Sequence, residues 1–135
     1  MIGIVLVTHG NLAEELISVV NFVLSSKPSV KISSVCLDPD REFDSFKQDI
    51  KAAIKKVKSK DGILIVTDMF GGTPSNISLT FLEENKVEVI SGVNLPMLLK
   101  LATLPGKTTL DEAVKTAETA GRDNIIVASK LLQNR

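Results

Sequence analysis

The sequence predicts an α/β fold: a doubly wound, mainly parallel sheet with helices on both faces. Three observations carry that expectation. Apolar runs of strand length alternate with segments of helical periodicity along the whole chain. Two of the runs, Ile2-Gly3-Ile4-Val5-Leu6-Val7 and Gly62-Ile63-Leu64-Ile65-Val66, contain no polar residue, as expected of strands covered on both faces. Short turns rich in glycine, asparagine, aspartate or proline separate strand from helix.

The first strand spans about residues 2 to 8. It leads through His9-Gly10-Asn11 into a helix with Leu12, Leu16, Ile17, Val20, Val23 and Leu24 at helical spacing, closed by Lys27-Pro28-Ser29. Val30 to Leu37 alternates and forms a more exposed second strand. Asp38-Pro39-Asp40 opens a second helix with Phe43, Phe46, Ile50, Ala53, Ile54 and Val57 on one face. Its acidic start and its lysines (Lys51, Lys55, Lys56, Lys58) suit the helix dipole, so the lysine run reads as a solvated face and not as a docking patch.

The third strand, 62 to 67, ends at Asp68. Gly71-Gly72-Thr73-Pro74 then starts the third helix, with Thr73 expected at the N-cap and Pro74 in the first turn. Lys86 to Ile90 is a fourth strand, followed by Gly92-Val93-Asn94-Leu95-Pro96, an apolar helix and a break at Pro105-Gly106. Thr109-Leu110-Asp111-Glu112 has the spacing of a capping box, and Gly121 is expected to stop that helix. Asn124 to Ser129 reads as a short final edge strand. There is no linker, internal repeat or low-complexity stretch, so residues 1 to 135 are expected to form one domain.

Composition narrows the function. The chain is 44% hydrophobic and 24% charged, as a globular protein is. Sixteen acidic and sixteen basic side chains leave no net charge, which argues against nucleic acid or an anionic membrane as partner. The single cysteine, Cys36, fits a reducing cytoplasm and reads as a small hydrophobe in the second strand. The N-terminus has no basic flank and only a short apolar run, unlike a signal peptide.

His9 is the only histidine. At the carboxyl end of the first strand it lies where open α/β sheets bind ligands; the plain alternative is a capping or core histidine. In a flavodoxin-like strand order the first and third strands are neighbours, which brings Asp68 beside His9. A carboxylate on one ring nitrogen fixes the tautomer and leaves the other nitrogen as a lone pair. Such a pair can serve as general base, metal ligand or covalent acceptor. Metal is the weakest of these, because a second histidine and a nearby cysteine are lacking.

Covalent phosphorylation suits the surroundings best. Helix N-termini after Gly10-Asn11 and after Gly71-Gly72-Thr73 would aim amides at one small space. The glycine turn alone reads equally well as a tight strand-to-helix connection. It lacks the lysine of a P-loop and the spacing of a dinucleotide fingerprint. The histidine phosphatase pattern fails as well, since Thr8 stands where that signature has arginine and no second histidine exists.

Val7-Thr8-His9-Gly10, Thr67-Asp68-Met69-Phe70-Gly71-Gly72-Thr73-Pro74-Ser75-Asn76 and Ser91-Gly92-Val93-Asn94-Leu95-Pro96-Met97-Leu98 together resemble the IIA domain of mannose-family sugar phosphotransferase systems. The resemblance spans nearly the whole chain, with the motifs in the family's order. It implies a cytoplasmic phosphoryl carrier without a cofactor. Phosphate would reach His9 from phosphoenolpyruvate through enzyme I and the phosphocarrier protein HPr. It would pass to a histidine of a IIB protein and then to a sugar crossing through IIC and IID proteins.

The resemblance also implies that Asp68 holds one imidazole nitrogen while the other carries the phosphoryl group. It implies a homodimer that exchanges its last strand, here Ile125 to Ser129. Phe70 stands where some relatives have tryptophan, and Thr73 where serine is frequent. The chain ends at Arg135, so IIB is expected on a separate protein. Gly10, Asn11, Gly71, Gly72 and Thr73 are expected around the phosphate. Met69 and Phe70 are expected either as an apolar landing surface for partners or as core, and Asn94, Leu95 and Pro96 as a far wall or as core. A regulator read through its phosphorylation state and a metabolite-binding domain are the other readings.

Overall fold

The computed structural model describes residues 1–133. Four strands, β1 (Gly3–His9), β2 (Lys31–Leu37), β3 (Ile63–Thr67) and β4 (Val87–Ser91), form one parallel sheet in the order β2-β1-β3-β4. Six helices complete the described chain: α1 (Leu12–Leu24), α2 (Phe43–Lys56), α3 (Thr73–Leu79), α4 (Leu95–Ala102), α5 (Leu110–Asp123) and α6 (Ala128–Gln133).

The period of two in a strand divides the core into two layers. Ile4 and Leu6 of β1 and Leu64 and Val66 of β3 pack with Ala13 and Val20 of α1, Leu98 of α4 and Ala113 of α5. The intervening Val5, Val7, Ile63 and Ile65 pack on the other face with Phe46 and Ile50 of α2 and Ile77 of α3. These residues are almost completely buried. The strand after α1 adds on one side of β1, whereas the strand after α2 adds on the other. The order therefore reverses between β1 and β3, and α1 and α3 leave that point on opposite faces.

Three expectations change. Asn124 to Ser129 is not a strand: residues 125–127 carry no regular structure, and α6 begins at Ala128. A segment of this kind becomes a strand only when it bonds to a sheet edge, and residues 125–127 pair with neither edge of this sheet. Gly121 lies inside α5 and does not end it. Its carbonyl accepts a hydrogen bond from Asn94 Nδ2 at 2.9 Å, and a Cβ there would stand 3.0 Å from Met97 Cε, so glycine serves the close packing of α4 on α5. Thr73 is the first residue of α3, and Gly72 holds the N-cap position without a side-chain cap.

The capping box on α5 forms in part. Thr109 Oγ1 accepts from the Glu112 amide at 3.2 Å and donates to the Glu112 carboxylate at 3.1 Å.

Candidate functional site

β1 delivers His9 and β3 delivers Asp68 to the same end of adjacent strands, where Val7 pairs with Thr67. The Asp68 carboxylate is fully engaged. Its Oδ2 accepts from His9 Nδ1 at 2.8 Å and from the His9 amide at 3.0 Å, while Oδ1 accepts from the Met69 amide at 3.0 Å. The bond from Nδ1 assigns the proton of the neutral ring to that nitrogen and leaves Nε2 with a lone pair. The His9 side chain is 48% exposed and Asp68 only 13%, so the ring reaches solvent while its orienting group is shielded.

Burial pushes the Asp68 carboxyl upward, and the hydrogen bonds from the His9 amide and ring, the charge of that ring and the Met69 amide outweigh it. The net effect holds Asp68 below the usual aspartate value. It is an anion at neutral pH.

The turns on either side fix the ring. Gly10 adopts φ +52° and Gly71 φ +89°, left-handed conformations that turn each chain sharply from strand toward helix. Gly72 approaches the imidazole closely, since a Cβ on it would meet His9 Cε1 at 2.8 Å. The Gly10 amide donates to the Leu37 carbonyl at 2.6 Å. Gly10 therefore cannot supply the free amide expected of it, because β2 has already taken the donor. Asn11 sits at the N-cap of α1 without a side-chain cap. At the start of α3, Thr73 is exposed and the Asn76 amide donates back to the Gly72 carbonyl at 2.9 Å. The earlier amides of each helix lack partners within that helix.

Several contributors carry no pattern in the sequence. Thr8 is wholly buried, and its Oγ1 accepts from the Ala13 amide at 2.8 Å, so it caps α1 from the strand side. Under the β3 turn, Thr67 Oγ1 and Ser91 Oγ lie 2.6 Å apart, and Ser75 Oγ stands 3.5 Å from Ser91 Oγ. These hydroxyls tie β3, β4 and α3 together below Asp68. A buried threonine or serine at a strand end is their only sequence signal.

Met69 is 53% exposed and Phe70 74%, which removes core packing as their explanation. Leu12, expected on the core face of α1, is 44% exposed one turn after His9. Asn94 is the N-cap of α4: its Oδ1 accepts from the Met97 amide at 3.1 Å and its Nδ2 donates to Gly121. That role joins helices and explains its place in the sequence.

Residues 3–118 match the family described as "PTS system fructose IIA component". The chain is similar to the mannose-specific EIIAB component of Escherichia coli K12, at 30% identity over 126 residues. That alignment covers 92% of this chain and 38% of the relative, so the chain spans well under half of that protein's length. It is also similar to the sorbose-specific EIIA component of Lacticaseibacillus casei, at 30% identity over 112 residues, covering 82% of this chain and 79% of the relative. The fold matches the crystal structure of phosphotransferase system component EIIA from Streptococcus agalactiae with a TM-score of 0.82 at 24% identity, over 96% of this chain and 99% of that one. The match over most of the chain, together with these relatives, places it in the EIIA-man family, the mannose- and fructose-type IIA components of the sugar phosphotransferase system.

Proposed function

We propose that the protein is a cytoplasmic phosphoryl carrier of the sugar phosphotransferase system, with residues 1–135 acting as one IIA domain. His9 accepts a phosphoryl group from phospho-HPr and passes it to a histidine of a IIB component. The observation that carries this reading is the half-exposed His9 side chain, whose Nδ1 is held by a shielded carboxylate and whose Nε2 keeps its lone pair. Small-molecule chemistry favours an enclosed pocket, whereas transfer between proteins needs an acceptor that a second surface can reach.

In the proposed step the Nε2 lone pair attacks phosphorus as the P–N bond to the donor histidine breaks, and its electron pair returns to the donor ring. The His9 ring then carries the phosphoryl group on Nε2 and a proton on Nδ1. Asp68 faces that proton and stabilises the positive charge the ring acquires. The transferring group needs positioning and charge stabilisation more than covalent help. Free amides of Asn11, Gly72 and Thr73 take its oxygens, and Gly10 and Gly71 shape the turns that aim them. Met69 and Phe70, with Leu12, give both partners an apolar landing surface. The second transfer is the same step reversed toward IIB, and IIC and IID lie beyond it at the membrane.

The protein is proposed to act as a homodimer. Ile125, Ile126 and Val127 are 76%, 58% and 53% exposed, an apolar segment without cover in one chain. β4 is an edge strand, and the partner copy's residues 125–129 would add to its free side.

Incubation with phosphoenolpyruvate, enzyme I and HPr, followed by intact-mass measurement at neutral pH, tests the carrier reading. One acid-labile phosphoryl group on the wild type and none on His9→Ala is expected. A folded wild type that takes no label from HPr of the same source overturns it.

A further inference from the structure

We propose that a hollow at the opposite end of the sheet from His9 binds a nucleoside polyphosphate. A cavity of about 580 Å³ opens between α2, the loop leading into β3 and the segment after α3. That size lies within the range of roughly 300–1,000 Å³ typical of small-molecule sites. It is separate from the His9 site: Ile63, the first residue of β3, lines it, whereas Thr67 at the other end of the same strand precedes Asp68. Four residue steps of strand put about 13 Å between the two ends.

The charge at this hollow is unlike that of the rest of the molecule. Lys51, Lys55, Lys58, Lys60 and Lys86 border it, and Glu83 is its one lining carboxylate. Glu83 pairs with Lys86 at 3.3 Å. The neighbouring Asp61 is held by the Met1 ammonium at 2.6 Å. Among the described residues, Lys51, Lys55, Lys58 and Lys60 make no salt bridge. A chain with zero formal net charge thus gathers four unpaired cations around one concavity. Like charges held at a low-dielectric wall focus a positive potential on the space between them. A polyanion relieves that repulsion.

The floor decides which polyanion. Ile54, Ile63, Phe81 and Val87 make it apolar, and Lys47 Nζ stands 5.6 Å from the Phe81 ring centroid, adding a further cation at its edge. An inorganic anion would meet the lysines and leave this floor wet. A nucleoside polyphosphate covers it with a flat base while its phosphates reach the ammonium groups, which satisfies both halves of the site. Helical periodicity alone makes Lys51, Lys55 and Lys58 a solvated face. The fold sets them opposite Lys60 and Lys86.

Titration of ¹⁵N-labelled protein with ATP at low ionic strength tests the proposal. Saturable amide shifts are expected at residues 59–63 and 81–87, with a Kd at or below about 1 mM, and none at 9–12 or 71–73. The Lys55→Ala/Lys58→Ala double variant and, separately, Lys51→Ala should weaken binding, the double variant by about tenfold or more, with unchanged circular dichroism. Adenosine and tripolyphosphate should each bind about tenfold or more weaker than ATP, because each meets half of the site. Equal affinity for tripolyphosphate overturns the proposal, since the floor then contributes nothing. So does a set of shifts confined to the His9 turn, binding unaffected by the lysine substitutions, or no saturable shift at all.

Discussion

Gly72 lies against the edge of the His9 imidazole, so that a Cβ on it would stand 2.8 Å from Cε1 and 3.4 Å from Nε2. Its φ of −85° is open to every residue, so the closeness of the ring, and not the backbone conformation, demands glycine here. Asp68 holds the ring from the Nδ1 side while the Gly72 backbone borders the other edge. The acceptor nitrogen of the β1 histidine is thereby aimed by two residues of the connection between β3 and α3.

Gly72→Ala is expected to push the imidazole off the Asp68 carboxylate without unfolding the chain. A displacement of about 1 Å at a reacting atom can cost about 10²-fold in rate. Phosphorylation by phospho-HPr should slow by that order while helical circular dichroism is kept. Normal kinetics in a folded variant would show that the contact does not position the ring.

Asp68→Asn should leave a folded protein with an imidazole of unfixed tautomer. Loss of an orienting carboxylate beside a working histidine costs about 10²–10⁴-fold in related chemistry. The measurement is the initial rate of His9 labelling, with nitrogen shifts of the ring reporting the tautomer. Retained rate with an altered tautomer would separate the carboxylate from the chemistry.

The depressed Asp68 carboxyl also sets a pH dependence of stability. A group whose folded value lies below its unfolded value stabilises the fold above the unfolded value of about 3.9. That contribution is lost as pH falls through the lower folded value. The difference in unfolding free energy between wild type and Asp68→Asn should be flat at neutral pH and shrink in acid below the usual aspartate range. A difference that persists undiminished in strong acid would mean that the carboxylate's charge is not its source.

Phe70→Ser should cost little stability, within about 0.5 kcal/mol, because the ring is 74% exposed. If the ring is part of the landing surface, the apparent KM for phospho-HPr rises by about tenfold or more while single-turnover transfer at saturation is kept. An unchanged KM for both HPr and IIB would leave Phe70 without a partner role.

Much of the fold was legible because strand and helix signals are local. β1, α1 and β3 lie within a residue or two of where periodicity put them. Asp38-Pro39-Asp40 misplaced the start of α2, since the Asp38 side chain accepts from the Asp40 amide and forms a turn before the helix begins at Phe43. The strand expected at Asn124 to Ser129 fails for a different reason. Ile125 to Val127 has the composition of a strand, but a strand needs an edge to bond to, and no local signal says whether the segment reaches one.

The sequence by itself determined the alternation of elements, the two strand ends that carry His9 and Asp68, and the glycines in the turns after them. Those follow from side-chain volume, periodicity and backbone freedom, which act over a few residues. The tertiary structure decided what depends on strand order. It made β1 and β3 neighbours, spent the Gly10 amide on β2, and set Gly72 against the imidazole. It also left Met69 and Phe70 in solvent and brought lysines from α2, the loop before β3 and the residue preceding β4 around one hollow. Contacts between residues dozens of positions apart arise from how two core layers close on one sheet, and no window of sequence contains both partners.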